Sequence, residues 1–400
     1  MTVKSIKQVN NLKGKKVLLR VDFNVPLVDG RVGQSEDYRI VKTLPTIEYL
    51  SKKGAKIIIL AHLGRPEGKI VEKLRLDPVA KRLSQLLKKK VIKSNQILGL
   101  ETEKKIGAMK NGDILMLENV RFDPREDPPS TPAGVYGEAK KGFARELTGL
   151  GEIYVNDAFA VDHRDQASVS IIQNYLPSYA GLLLEQEISH LTRAMKNPKK
   201  PLVVIIGGAK METKIKVIKN FSKVAKKILL GGALANTVLH VMGVSVGKSP
   251  LELEMFSEVK KLKLTNNQIV VPVDGVMAKS YKSQVGRIDA LADIKKDELI
   301  LDVGPDTIKL YEKVLKSAKM VVWNGPMGLI ETPFFAQGTI KLIKALTKLK
   351  AETIVGGGET VEMIRKMKMD KKFNFISTGG GAMLEFLEGK KLPGLKKLIK

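Results

Sequence analysis

The chain has 400 residues, 43% of them apolar, a formal net charge of +27 and no cysteine. This length allows two or three domains with large cores, and the lack of cysteine excludes disulfides, thiolate catalysis and cysteine metal sites. No apolar run approaches the roughly 20 residues that span a bilayer, and the amino terminus lacks the apolar core of a signal peptide. We therefore expect a soluble, cytoplasmic protein that does not bind membranes.

The lysines that dominate the charge are spread along the chain rather than gathered in one basic stretch. Aromatic residues make up only 5% of the sequence, and none interleaves with a basic run to stack on nucleic-acid bases. We predict no specific nucleic-acid partner and interpret most lysines as solvated helix faces. The excess charge would help to steer a small polyanionic substrate, and weak, salt-sensitive nucleic-acid binding stays an alternative.

Short apolar runs alternate with longer helix-like segments, as is typical of parallel strands joined by right-handed crossovers. In the first half the predicted strands are 17–19, 57–60, 114–117 and 153–155. In the second half they are 202–206, 228–230, 269–271, 300–303, 320–323, 353–355 and 373–376. The predicted fold class is α/β, with two doubly wound, Rossmann-like parallel-sheet domains joined by an interdomain helix.

The interdomain helix is expected to start near Ser178 and must end before Pro198. We accordingly divide the chain into a first domain, a hinge, a second domain and a tail that packs back on the first domain. Their predicted bounds are 1–176, 177–197, 198–388 and 389–400. Residues 123–134 are rich in proline and charge, which predicts a surface loop.

Charged and amide side chains follow the predicted strands of the first half. They are Asp22, Asn24, Arg39, His62, Arg65, Arg121 and Arg164. The carboxyl ends of parallel strands meet at one sheet edge, where open α/β folds bind ligands. Because guanidinium groups match carboxylate and phosphate oxygens in a two-pronged way, the first domain is predicted to bind a small, highly anionic ligand.

The predicted strands of the second half are followed by glycine clusters instead. The clusters are at 207–208, 231–232, 325–328, 356–358 and 379–381. Glycine lets backbone N–H groups approach a ligand closely, and a helix amino terminus adds partial positive charge. The pattern predicts a nucleotide site, with Lys210 and Lys214 four residues apart on one face of the helix after the first cluster.

With these motifs the chain resembles the phosphoglycerate kinase family over nearly its full length. The matching segments, which also occur in the family's order, are 20–26, 62–66, 118–122, 156–164, 207–218, 322–331, 356–360 and 377–389. The resemblance implies reversible phosphoryl transfer between ATP and the carboxylate of 3-phosphoglycerate, giving ADP and 1,3-bisphosphoglycerate. It also implies Mg²⁺ as the metal, with Mn²⁺ as an alternative, and we expect a monomer.

Residue roles follow from the resemblance by position. For the phosphoglycerate, Asp22 and Asn24 would hold the hydroxyl and carboxylate region, and the phosphate and carboxylate would be bound by Arg39, His62, Arg65, Arg121 and Arg164. For the nucleotide, Lys210 would contact the phosphates, and the base and ribose site would comprise Gly231, Gly232, Asn324, Pro326 and Glu331. Around the phosphates would lie Gly357, Gly358, Thr360, Gly380 and Gly381, and Glu359 would hold the metal.

The predicted catalytic set is Arg39 and Lys214, which would face the transferred group from opposite sides, with Gly357 and Gly380. No general base is expected, because the attacking carboxylate is already deprotonated near neutral pH.

Three positions depart from the family pattern: Glu359 and Thr213 each replace an aspartate, and Gln166 replaces a histidine. The extra methylene of Glu359 leaves the metal preference open, because Mg²⁺ demands near-octahedral geometry.

A catalytically silent nucleotide- or polyanion-binding protein on the same scaffold is the alternative. Retention of Arg39 and Lys214 argues against it.

Overall fold

The computed structural model of the protein describes residues 2–128, 135–262, 264 and 267–399. They form two compact units whose boundary lies between Ser189 and His190, and the chain from Lys391 onward belongs to the first unit. Within the described residues, no helix has the length and apolar character needed to cross a membrane.

The first unit is built on a six-stranded parallel sheet with the strand order β3-β4-β2-β1-β5-β6. Its elements are β1 (Lys16–Val21), α1 (Tyr38–Lys52), β2 (Lys56–Leu60), α2 (Asp77–Leu87), β3 (Val91–Lys93), α3 (Leu100–Gly107), β4 (Ile114–Met116), α4 (Val135–Thr148), β5 (Ile153–Asp157), β6 (Ser178–Ala180) and α5 (Leu182–Lys196), the last of which crosses the unit boundary. The chain builds outward from β1 on one side and returns to its other side with β5. The strand order therefore reverses between β1 and β5, where ligands of such sheets bind.

Both faces of this sheet are buried, which explains why its strands are continuous apolar runs. Successive residues of a strand point to opposite faces. Accordingly, Val17 and Leu19 belong to one core cluster together with Ile40 of α1. Leu18 belongs to a second cluster with Phe143 of α4.

The second unit contains another six-stranded parallel sheet, with the order β15-β14-β13-β7-β8-β9. Its elements are β7 (Leu202–Ile206), α6 (Ile215–Phe221), β8 (Lys227–Leu230), α7 (Leu234–Val241), α8 (Phe256–Lys260), β9 (Ile269–Val270), β10 (Asp274–Ala278), β11 (Arg287–Ala290), β12 (Leu299–Val303), α9 (Pro305–Leu315), β13 (Met320–Asn324), α10 (Gln337–Leu346), β14 (Glu352–Gly356), α11 (Gly358–Lys366), β15 (Phe375–Ile376) and α12 (Gly381–Leu387). As in the first sheet, the strand order reverses between two central strands, here β7 and β13. Ligands of such sheets bind at this point.

The placement of the predicted strand at 300–303 in a parallel sheet is wrong. This run forms β12, which pairs with β10 in a three-stranded antiparallel sheet of order β11-β10-β12. Residues of β11 alternate between partly buried and exposed, as expected where one face of an antiparallel sheet is solvated. An apolar run identifies a strand but does not specify its partner.

The predicted start of the interdomain helix at Ser178 is also wrong. Residues Ser178–Ala180 form the edge strand β6 beside β5, and the helix starts at Leu182. A side chain from another strand caps its amino terminus, since the Leu184 N–H donates to Asp157 Oδ1 at 3.0 Å. A Cβ atom on Gly181 would lie 2.2 Å from the same oxygen, so the turn before the helix requires glycine.

The predicted surface loop at 123–134 is only partly described, since residues 129–134 lie outside the described residues. In the described part the prediction is wrong for Glu126, which is fully buried. Its carboxylate accepts hydrogen bonds from the Ser168 hydroxyl at 2.6 Å and the Ser168 N–H at 2.9 Å. Paired hydrogen bonds of this kind make the burial of a carboxylate tolerable.

The carboxyl-terminal residues contact the first unit. The Lys4 N–H donates to the Leu398 carbonyl at 2.8 Å. Two buried amides, Asn156 Nδ2 and Gln173 Nε2, donate to the Gly394 carbonyl at 3.1 and 2.7 Å.

Candidate active site

Polar side chains from three elements meet beyond the carboxyl end of β1. Arg39 Nη1, on α1, donates to Asp22 Oδ2 at 2.5 Å and to the Asn24 carbonyl at 3.3 Å. The Asn24 side chain accepts from the Gly64 N–H, after β2, at 2.8 Å. Asp22, Asn24 and Arg39 are therefore brought together with the loop that carries His62.

Arg121 is fixed beside this loop by hydrogen bonds around β4. Its Nη1 donates to the Gly64 carbonyl at 2.8 Å, and its own N–H donates to Asn119 Oδ1 at 3.1 Å. Burial, with Arg20 and Arg164 nearby, lowers the pKa of Arg121 to about 10. The guanidinium remains charged at neutral pH, so its site is strongly positive.

His62 is buried at the centre of these cations. Burial lowers its pKa well below the ordinary value, and four arginines lower it further. They are Arg20, Arg121, Arg39 and Arg164. The imidazole is therefore neutral at neutral pH, and an anion bound here would relieve the repulsion among the guanidinium groups.

The two remaining predicted residues of this site, Arg164 and Arg65, differ in their contacts. Arg164 Nη1 lies 3.7 Å from Asp127 Oδ2, and Arg164 belongs to the positive surroundings of His62. Arg65 is exposed and makes no side-chain hydrogen bond or ion pair with the part of the chain that is described. The structure therefore does not bring Arg65 into contact with the other predicted residues of this site.

Sequence reasoning missed a chain of buried polar side chains that begins beside His62. Arg20 is fully buried, its Nη2 lies 3.3 Å from His62 Nδ1, and its Nε donates to Ser168 Oγ at 2.9 Å. Ser168 in turn contacts Glu126, whose pKa burial raises to about 7. Arginine within an otherwise apolar strand was a signal for Arg20, whereas nothing local identified Glu126.

In the second unit, glycine allows the loops after β7, β8 and β13 to pack backbone against backbone. The N–H groups of Gly207 and Gly208 donate to the carbonyls of Asn324 and Pro326 at 2.9 and 2.8 Å. A Cβ atom on Gly207 would lie 2.1 Å from the Pro326 carbonyl oxygen, and one on Gly232 would lie 2.6 Å from the Gly208 nitrogen. Side chains at these positions would separate the loops.

The prediction that Lys210 and Lys214 share a helix face is wrong. Helix α6 begins at Ile215, with Lys214 as its N-cap, and both lysines lie in the preceding loop. Lys210 is exposed, whereas Lys214 is only 7% exposed and its Nζ donates to Asn324 Oδ1. Burial lowers the pKa of Lys214 to about 8, against the opposing effect of Glu359 and Glu388.

Glu252 binds the backbone of the loop that carries the two lysines, and sequence reasoning missed it. Its two carboxylate oxygens accept from the N–H groups of Met211 at 2.5 Å and Glu212 at 3.0 Å. These bonds tie two backbone donors of the lysine loop to a residue from another segment of the chain. Glu252 lies 41 positions from Met211 in the chain, and no local sequence signal connects the two residues.

A cavity of about 490 Å³ opens beside this loop. Five predicted nucleotide or metal residues line it, namely Lys210, Gly232, Pro326, Glu331 and Glu359. Part of the wall is apolar, including Leu239, Ile300 and Leu329, as suits a flat base. Among the residues described, the lining does not include Lys214, Gly231, Asn324, Gly357, Gly358, Thr360, Gly380 and Gly381.

Several of these other predicted residues lie at or near two helix starts. Gly357 is the N-cap of α11 with φ of +95°, and a Cβ atom there would lie 3.2 Å from the Gly325 nitrogen. Gly380 is the N-cap of α12 with φ of +49°. Thr360 is fully buried, and its Oγ1 has no hydrogen-bond partner within the described ranges.

The donor set at Glu359 fits a magnesium ion that is shared with a nucleotide. Glu359 lies in the first turn of α11 and on the cavity wall. The described residues contain no group of three or more His, Cys, Asp or Glu that could hold a metal by itself. In kinase sites Mg²⁺ is bound by one or two carboxylates together with substrate phosphates and water, which is what a single glutamate beside the cavity offers.

Two α/β units, one with an arginine-rich sheet edge and one with a cavity beside glycine-rich loops, define a two-domain α/β protein. The phosphoglycerate kinase family model matches residues 6–390. The phosphoglycerate kinase of Dictyoglomus turgidum is 44% identical over 394 residues, 97% of this chain and 96% of the relative. That of Moorella thermoacetica is 44% identical over 395 residues, 97% of each chain.

Solved structures agree with the sequence matches. The phosphoglycerate kinase of Coxiella burnetii superimposes with a TM-score of 0.82 at 38% identity, covering 99% of this chain and 98% of that one. The enzyme from Pyrococcus horikoshii gives a TM-score of 0.85 at 33% identity, with the same coverage. The chain therefore belongs to the phosphoglycerate kinase family. The predicted family and fold class are confirmed, and a catalytically silent scaffold is not favoured.

Proposed function

We propose that the protein catalyses the reversible transfer of a phosphoryl group between ATP and the carboxylate of 3-phosphoglycerate, giving ADP and 1,3-bisphosphoglycerate. The observation that carries this proposal is the family match across residues 6–390. The chemistry of the two sites supports it, because one suits a small anion with two charged groups and the other a nucleotide.

The first unit would bind 3-phosphoglycerate through its arginines. Arg121 and Arg164 add to the positive potential around the neutral His62, and Asn24 offers polar atoms at the same edge. Arg39 forms an ion pair with Asp22, so the substrate would compete with Asp22 for this guanidinium. Arg65 is exposed and would join the site only when substrate is bound.

The transfer itself requires positioning and charge neutralisation rather than proton removal, because the acceptor is a carboxylate. We assign the neutralising charges to Arg39 and Lys214, with backbone N–H groups near Gly357 and Gly380. Mg²⁺, or Mn²⁺ in its place, would be held by Glu359 with the nucleotide phosphates and would offset their charge. Since the two substrates are assigned to different units, the proposal includes closure of the units, with the hinge in and around α5.

A coupled assay with 3-phosphoglycerate tests this function, using ATP or GTP and Mg²⁺ or Mn²⁺. We expect turnover with ATP and Mg²⁺, and a fall in kcat of roughly a thousandfold or more in Arg39→Ala, judging by other charge-neutralising arginines. Arg31→Ala, which removes an exposed arginine, serves as the control and should leave kcat unchanged. Nucleotide binding without any 3-phosphoglycerate-dependent consumption of ATP would contradict the proposal.

We further propose that the protein acts as a cytoplasmic monomer. Sedimentation velocity at assay concentrations and cell fractionation test the two parts of this proposal separately. A stable dimer would contradict the first part, and recovery with membranes the second.

A further inference from the structure

The amino edge of the second parallel sheet, where its strands begin, is rich in lysines that the proposed reaction does not use. Five loops lead from a helix to the start of a strand at this edge. They precede β7, β8, β13, β14 and β15 and span 197–201, 222–226, 316–319, 347–351 and 367–374. Together these five loops contain eleven lysines, all of them exposed, and one acidic residue, Asp370.

Neighbouring charges do not balance these lysines. Within the described residues, Lys199 is the only one of the eleven that forms an ion pair, with Glu352. The helix dipole stabilises cations only within about the last turn of a helix. Each loop has at least one lysine four or more positions past the last helical residue, as Lys226 is after α6 and Lys319 after α9. The protein itself therefore leaves the mutual repulsion of these charges uncompensated.

A groove of about 540 Å³ opens at the same edge, beside α6 and the starts of β8 and β9. Five lysines line it, namely Lys219, Lys223, Lys226, Lys227 and Lys261. Glu258 pairs with Lys219 and Lys261, whereas Lys223 and Lys226 have no ion-pair partner in the part of the chain that is described. The groove is a concave surface with a strong excess of positive charge.

This groove is separate from the cavity assigned to the nucleotide. Among the residues described, the two have no lining residue in common. Strand β8 starts at Lys227 in the groove and ends at Leu230, two positions before Gly232 in the cavity. The two therefore open at opposite ends of β8.

We propose that the amino edge of the second sheet, with this groove, binds the phosphate backbone of double-stranded nucleic acid without reading its sequence. Six strands about 4.8 Å apart extend over about 24 Å, which is the length of about seven base pairs at 3.4 Å each. Lysine is a flexible point charge that binds phosphate, and phosphate contacts carry no sequence information. The inference goes beyond the proposed function and does not depend on it.

A duplex fits this surface better than two other polyanions. Single strands are bound by aromatic side chains on which bases stack, and Phe373, the only aromatic residue of the five loops, is buried. Proteins that lie on bilayers insert apolar side chains, and none of the exposed large apolar residues belongs to these loops, all of which are described. A flat bilayer also cannot enter a groove, whereas the convex backbone of a duplex can.

Fluorescence anisotropy of a labelled DNA duplex longer than this span, titrated with the full-length protein, tests the inference. At physiological salt we expect a Kd of about 10⁻⁶ to 10⁻⁴ M, equal for two unrelated sequences. The slope of log K against log salt becomes less steep by about 0.9 for each phosphate contact removed. Lys223→Gln, Lys226→Gln and Lys319→Gln together should therefore reduce the slope by roughly 2 to 3.

A second triple variant removes the same charge elsewhere in the same unit. Lys248→Gln, Lys295→Gln and Lys296→Gln change exposed lysines near β12, outside the five loops. This variant should change the slope by less than one contact. Equal effects of the two triple variants would mean that net charge alone attracts the duplex, which would overturn the inference.

Competition and alternative polyanions test the location and the partner. ADP with 3-phosphoglycerate, added at constant ionic strength, should not displace the duplex, and displacement would assign the duplex to the predicted substrate sites instead. Tighter binding of a single strand of equal length would overturn the inference. So would phosphatidylserine vesicles that bind the wild type but not the Lys223, Lys226 and Lys319 variant, if both proteins bind the duplex equally. Circular dichroism shows whether the variants fold, and Lys226→Gln alone carries the test if the triple variant does not.

Discussion

Lys214 shows how the position of a single residue changes its chemistry. It lies four positions from the exposed Lys210, but its own ammonium is buried against Asn324 and its pKa falls to about 8. A lysine in this state is charged at neutral pH but loses its proton within an accessible pH range. This property comes from burial, which the sequence pattern did not reveal.

The pH dependence of catalysis tests this assignment. Because the folded pKa of Lys214 is about 8, the ammonium is present below this pH and is lost as the pH rises through it. We expect kcat/KM for ATP, which reports groups of the free enzyme, to decline above about pH 8. Lys214→Arg keeps its charge at all these pH values, so its residual activity should not show this decline.

Lys216→Arg, at an exposed position of α6, provides the matched control and should retain the wild-type profile. A wild-type profile that stays flat well above pH 8 would show that the Lys214 ammonium is not needed in the free enzyme.

At the scale of elements, the loop that carries the two lysines is shaped by a residue from another segment. Both oxygens of Glu252 accept backbone N–H groups of this loop. We expect Glu252→Ala to lower kcat by about tenfold or more, since small displacements of catalytic groups are costly. Stability should fall by about 1–3 kcal/mol, because two amides lose their acceptors. Steady-state kinetics and urea unfolding measure the two effects.

Glu252→Gln keeps one carbonyl oxygen as an acceptor and should recover part of kcat. Leu253→Ala changes the neighbouring exposed side chain and should leave kcat unchanged. If Glu252→Ala raises KM for ATP but leaves kcat intact, Glu252 contributes to nucleotide binding rather than to the position of Lys214.

The same principle applies to α5. Its amino terminus is fixed by Asp157, at the end of β5, while Ser178 belongs to an edge strand. Local sequence signals for a helix start compete with tertiary hydrogen bonds, and α5 begins where a side chain from another strand accepts from its first turn.

At the scale of the whole molecule, the chain returns to its first unit after completing the second. Leu392, Leu395 and Leu398 are buried, and the Gly394 carbonyl accepts from two buried amides. Deleting residues 391–400 should therefore destabilise the first unit by several kcal/mol, at about 1.5–3 kcal/mol for each leucine. The single tryptophan, Trp323, is buried in the second unit and can report on that unit alone.

Urea unfolding followed by circular dichroism should then show an early transition that Trp323 fluorescence does not share. Lys396→Ala with Lys397→Ala alters two exposed tail residues and is the control. A deletion variant that unfolds like the wild type by both signals would mean that the tail contributes little to stability.

The order of residues was sufficient to identify the fold class, most strand positions and the family. Continuous apolar runs indicate buried parallel strands through local side-chain chemistry. The motifs 22–24 and 324–326 indicate the family because each consists of residues that are adjacent in the sequence. Only contacts in the folded chain set the antiparallel partner of β12, the burial of Glu126 and Lys214, the isolation of Arg65 and the hydrogen bonds of Glu252. These features depend on contacts between residues far apart in the chain, and neither hydrophobic periodicity nor local propensity encodes such contacts.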